Sequence, residues 1–259
     1  MRLKLIACKA LFREASLIAA QSENFIDATY LRQGLHDTPD LLRRAIQDEI
    51  DRVESGDDIH TYSARYDRRD FDAILLGYGL CSNGIVGVGS KKYPVVVPRA
   101  HDCITLYLGS KEAYAAYFKE HGGTFWYNAS WIENAVTPSE QTDREMMAVY
   151  AEKYGEENAA FLLEAEMTEN YTRAAYIKWP ELSFPQYEKY TRDAAAYRGW
   201  EYDCVLGSSA LMLEFLDGVW DYDKFLVAPP GSAIEADVRP GGKILRAINP
   251  RRDGHTDLR

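Results

Sequence analysis

Phe71-Asp-Ala-Ile-Leu-Leu-Gly-Tyr-Gly79 passes from charged residues into an unbroken apolar run and leaves it through glycine. An apolar run without alternation marks a strand covered on both faces, as at the centre of a parallel sheet. Tyr93-Pro-Val-Val-Val-Pro98 has the same character a short way downstream. Upstream, Leu3-Lys-Leu-Ile-Ala-Cys8 reads as a first strand, with helical apolar spacing behind it over 9–21. Residues 24–36 read as a second extended segment, and Thr38-Pro39 opens a helix that stops near Gly56.

The alternation continues past residue 100. A helix over 109–121 is stopped by Gly122 and Gly123, and Thr124-Phe-Trp-Tyr127 follows as a strand. Strands are predicted again over 173–179, 200–206 and 225–230, with helices over 184–199 and 208–218 between them. This pattern predicts an α/β fold: a mostly parallel, doubly wound sheet with helices on both faces and room for two lobes. The domain is expected to span 1–231, with a helical insertion over 137–170 broken near Gly155. Residues 232–259, rich in Pro, Gly and Arg, read as an extended or partly disordered tail.

The formal charge of −10 argues against nonspecific binding to nucleic acid or to an anionic membrane. No apolar stretch approaches the roughly 20 residues that a spanning helix needs. A cytoplasmic protein is therefore expected. In that reducing compartment the four cysteines do not read as a disulfide framework.

Cys8, Cys81 and Cys103 each follow a strand-like run. Carboxyl ends of parallel strands share one edge, where open α/β sheets bind ligands. Three thiols on that edge, with His101 beside Cys103, suggest zinc, or alternatively iron, held by Cys8, Cys81, Cys103 and His101. Gly79, Ser82, Asn83 and Gly84 form a turn able to approach a ligand closely, although their spacing is neither a dinucleotide fingerprint nor a phosphate loop. Arg99 is expected to bind a substrate carboxylate and Tyr78 to orient the substrate or donate a proton. His101 and Asp102 stand ready for acid–base work or for activating a thiol.

The same atoms also fit a metal-free nucleophilic cysteine at position 81 or 103, and an isolated buried cysteine is ordinarily inert packing. Cys204, inside an apolar run, reads as core. Trp126, Tyr127, Trp131 and Glu133 could wall a pocket, although such aromatic clusters usually pack a core.

Tyr78-Gly-Leu-Cys-Ser-Asn-Gly84, Arg99-Ala-His-Asp-Cys103, the opening around Cys8 and the late Trp220–Gly231 stretch together resemble the domain-of-unknown-function family sixteen thirty-eight. The resemblance implies a neighbourhood of corrinoid-dependent methyltransferases and methylated amine donors. The expectation is a metal-dependent protein, of transferase or lyase type, acting on a small methylated or nitrogenous metabolite. Corrinoid would reach it only through a partner protein or methyltransferase. The alternatives are a non-catalytic accessory protein and a metal-free thiol enzyme. Family members usually carry glycine where this chain has Ser130.

Overall fold

The computed structural model describes residues 1–56, 70–167 and 171–249, with the side chains of 164–167 excepted. The polar stretch 57–69, the end of the expected insertion at 168–170 and the end of the expected tail at 250–259 lie outside these ranges. In chain order the strands are β1 (Arg2–Cys8), β2 (Phe25–Leu31), β3 (Ala73–Gly77), β4 (Val95–Pro98), β5 (Thr124–Tyr127), β6 (Arg173–Lys178), β7 (Glu201–Leu206), β8 (Phe225–Ala228), β9 (Ala233–Asp237) and β10 (Ile244–Ile248). The helices are α1 (Phe12–Gln21), α2 (Pro39–Ser55), α3 (Ile104–Leu108), α4 (Lys111–Glu120), α5 (Ala129–Asn134), α6 (Glu140–Tyr154), α7 (Glu156–Met167), α8 (Pro185–Arg198) and α9 (Ala210–Asp217).

The chain divides into two compact units, one built from Met1–Lys111 with Ser209–Arg259, the other from Glu112–Ser208. In the first, the sheet order is β2-β1-β3-β4-β8, with β1 to β4 parallel and β8 antiparallel at the edge. From β1 the chain moves outward to β2, then returns across β1 to β3. The winding therefore reverses between β1 and β3, and the crevice beyond their carboxyl ends is the place where open α/β sheets bind ligands.

Side-chain alternation assigns the two faces. Ile6, Ile74, Leu76, Val95 and Val97 share a core with Leu42, Ile46, Ile50 and Val53 of α2. Leu3, Leu5, Leu75 and Val96, which point the other way, are just as buried. α1 packs against α9. Both faces are thus covered, which is why β3 and β4 read as continuous apolar runs. Lys4 is fully buried within this sheet, and its Nζ lies 2.9 Å from Oδ1 of Asp27, its register partner on β2.

The expected tail is folded over much of its length. β9 and β10 pair as an antiparallel hairpin, and Gly87 N–H donates to the Ile234 carbonyl. Ile234 and Leu245 are completely buried in the α2-side core. One deeply inward residue on each short strand leaves almost no periodic signal, so the sequence shows only its Pro, Gly and Arg.

The second unit holds a parallel sheet in the order β5-β6-β7. Tyr127, Ala174 and Tyr176 pack there with Ala194 and Ala195 of α8. α6 and α7 follow one another across Gly155, whose φ of 83° needs glycine.

Ile46 is fully enclosed between α2 and the first sheet. Ile46→Ala is expected to lower stability by about 2–5 kcal/mol in urea unfolding, whereas truncation of the 58 % exposed Phe118 should be close to neutral.

Candidate functional site

Cys8 closes β1, and the nearby Ala10 amide partly offsets the effect of burial on its thiol. Across the register, a Cβ added at Gly77 would lie 2.6 Å from the Ala7 Cβ, so β1 and β3 are packed tightly at this end. The chain leaving β3 then meets the chain leaving β4. A Cβ at Gly79 would lie 2.7 Å from the Asp102 nitrogen and 2.8 Å from its Cα. With no side chain in the way, Leu80 N–H donates to the Ala100 carbonyl at 2.8 Å and Cys81 N–H to the His101 carbonyl at 3.0 Å. The loops carrying Cys81 and Cys103 are laced into one structure.

Cys81, Ser82 and Asn83 have φ of 46°, 55° and 66°. Left-handed conformation costs a non-glycine residue about 1–2 kcal/mol. Three in succession persist because the turn is held from several sides. Gly84 N–H donates to the Cys81 carbonyl at 2.9 Å, and Arg43 of α2 donates to the carbonyls of Asn83 and Val86. Gly84 is fixed in turn: a Cβ there would stand 2.5 Å from Leu42 Cδ2. Strain held this firmly is typical of ligand clamps and active sites.

Burial pushes the thiol of Cys81 from 9.0 up to about 12, with the Cys8 sulfur adding to the effect. Burial also raises Cys8, and raises Cys103 strongly, with further upward pressure on Cys103 from Cys81, Cys8 and Asp102. Tyr78 is raised well above an ordinary phenol by burial, then by Cys8 and Cys81. Cys8 and Cys81 are therefore within electrostatic reach of each other, of Tyr78 and of Cys103. No cation among the described residues contributes to any of these shifts, so all four groups are protonated at neutral pH. Tyr78 Oη is buried without a hydrogen-bond partner among the described residues, as is Gln33 Oε1 just past the end of β2.

The other expected residues have distinct surroundings. His101 is exposed, and its backbone carbonyl holds Cys81. Asp102 Oδ1 accepts from Ile104 N–H at 3.0 Å at the start of α3. Ser82 and Asn83 are exposed at the rim, and Gly79 and Gly84 are buried. Arg99, expected at a substrate carboxylate, is instead buried among main-chain carbonyls. It donates to Tyr222, Phe225, Lys243 and Leu245, and its guanidinium lies 4.8 Å from the Tyr222 ring centroid. It braces β8 and β10 against the end of β4.

Cys204, read as core, is exposed, because β7 is an edge strand. Trp126 and Tyr127 are buried, and Glu133 accepts from the Tyr187 hydroxyl at 2.5 Å. His36 is exposed beside Asp37, with Nε2 3.3 Å from Oδ1. The sequence did not single out Arg43, since nothing local separates it from Arg44. Among the described residues, no group of three His, Cys, Asp or Glu side chains is arranged as it stands to hold a metal ion.

The model of the family described as protein of unknown function (DUF1638) matches residues 30–216, well over half of the chain. The chain belongs to this family. The segment shared with DUF1638 carries Tyr78, Cys81 and Cys103, whereas Cys8 and the β9–β10 hairpin lie outside it. No curated protein and no solved structure matches this DUF1638 chain.

A raised thiol pKa means that the folded state keeps protons which the unfolded state releases. The Cys81 contribution is fully present below pH 9.0 and is lost as pH rises from there through about 12. Stability should fall across that window, and less steeply in Cys81→Ala than in the native chain when urea midpoints are compared. Iodoacetamide at pH 7.5 should label exposed Cys204 before Cys8, Cys81 and Cys103, by peptide mass spectrometry, with the order erased in urea.

Proposed function

We propose that the crevice at the β1–β3 reversal is a thiolate metal centre, for zinc or iron, in a protein acting on a small methylated or nitrogenous metabolite. The observation that carries this reading is the cluster of three half-buried thiols, all made less acidic by burial, Cys81 further by Cys8 and Cys103 further by both, with no cation among the described residues opposing these shifts. Such a set is a poor store of free thiolate and a good donor set for a thiophilic cation. Zinc or iron bound there would supply the positive charge that lets the sulfurs ionise at neutral pH while leaving them nucleophilic.

Cys8, Cys81 and Cys103 would hold the metal after small side-chain rotations, and the exposed imidazole of His101 is the remaining candidate ligand. Tyr78 Oη, protonated and without a partner among the described residues, would donate a hydrogen bond to a substrate atom beside Cys8 and Cys81. Ser82 and Asn83 would form the rim over which substrate passes. The reaction fits a transferase or lyase, and a link to corrinoid-dependent methyl transfer would run through a partner protein, with Arg99 bracing the fold.

The second reading, a metal-free cysteine nucleophile, draws on the left-handed turn at Cys81. A strained turn directly after a strand is a way of presenting a nucleophile at a sheet edge.

Elemental analysis of untagged protein prepared without oxygen separates the two. Near one equivalent of zinc or iron per chain, lost in Cys81→Ala and Cys103→Ala but kept in Cys204→Ala, is the expected result. Zinc added to the metal-free protein should also release a proton for each ligating thiol, seen as a buffer-dependent heat of binding. A metal-free protein in which Cys81 alone alkylates and activity follows that residue would replace the metal centre with the nucleophile.

A further inference from the structure

In the second unit, Phe125, Tyr171 and Trp200 wall a cleft of about 180 Å³ whose floor includes Asp143 of α6 and Arg198 of α8. The rings contact one another, with centroids 5.3 Å apart for Phe125 and Tyr171 and 5.9 Å for Tyr171 and Trp200. Phe125 and Trp200 lie near parallel, at 27° and 6.3 Å. Flat aromatic surfaces of this kind favour a flat ligand.

The ion pair is short of partners. Arg198 Nη2 donates to Asp143 Oδ1 at 2.5 Å, and the two side chains are only 12 % and 3 % exposed. The Tyr197 hydroxyl lies near enough to this carboxylate to favour its charged form. Asp143 Oδ2 and Arg198 Nε nevertheless remain buried with no partner of hydrogen-bond geometry among the described residues. A buried charge pair is favourable only when its remaining lone pairs and protons are satisfied. The atoms left over are one acceptor and one donor, on a pair with no net charge.

We infer that this cleft binds a small uncharged planar amide or lactam, its N–H donated to Asp143 Oδ2, its carbonyl accepting from Arg198 Nε, and its ring lying on Trp200 and Phe125. A cation would meet Arg198 and an anion Asp143, so neither suits the pair as well as a neutral ligand with both a donor and an acceptor. Both atoms are closed to solvent in this structure, so binding includes a rotation of one of the two side chains toward the cleft. This site is independent of the thiol centre.

2-Pyridone is the probe, titrated into the native chain while the indole N–H resonance of Trp200, assigned with Trp200→Phe, is followed by NMR. Saturable movement of that resonance is expected, with at least tenfold weaker binding of N-methyl-2-pyridone, which keeps the ring and carbonyl but lacks the donor. Asp143→Asn should reduce the preference for the unmethylated ring. No saturable movement, or equal binding of the two rings to the native chain, would overturn the assignment. The native-chain comparison holds whether or not Asp143→Asn folds.

Discussion

At position 79 a side chain would fall 2.7 Å from the main-chain nitrogen of Asp102, and only glycine permits that approach. The rest of the site depends on it. Because the two strand exits touch, Leu80 and Cys81 donate into the carbonyls of Ala100 and His101. The chain then turns within three residues of left-handed backbone, fixed by Arg43 from α2. Cys81 and Cys103 are placed by main-chain hydrogen bonds, and Cys8 by the parallel pairing of β1 with β3.

That placement has an electrostatic consequence. Thiols in a low-dielectric crevice resist ionisation, and each one that ionises makes the next harder to ionise. Packing alone would tolerate such groups as neutral hydrophobes. Left-handed strain, a buried tyrosine hydroxyl without a partner among the described residues and a position at the winding reversal are harder to account for by packing. They share an explanation if the sulfurs exchange their protons for a cation. The ordinary inert-thiol reading explains the raised pKa values and leaves the other features unexplained.

The sheet was legible because β3 and β4 are covered on both faces and so appear as unbroken apolar runs. The same runs made it legible that Cys8 ends β1 and that Cys81 and Cys103 follow β3 and β4, at the carboxyl ends of parallel strands. The hairpin at 233–248 was not legible, because two inward residues, Ile234 and Leu245, carry its burial. Arg99 was read as a ligand-binding cation because its carbonyl partners lie far along the chain, at 222–245, where no local pattern reveals them. The left-handed run at Cys81–Asn83 was hidden for a different reason: glycine is the residue that advertises positive φ, and here the conformation is imposed by neighbours. Asp143 and Arg198 were hidden likewise, fifty-five residues apart and each ordinary in its own helix.

X-ray absorption at the zinc edge, on protein loaded with one equivalent of zinc without oxygen, tests the thiol centre most directly. A shell of two or more sulfur atoms at about 2.3 Å, reduced by one sulfur in Cys8→Ala, is the predicted result. A shell of nitrogen and oxygen only, unchanged by replacing Cys8, Cys81 or Cys103, would contradict the account.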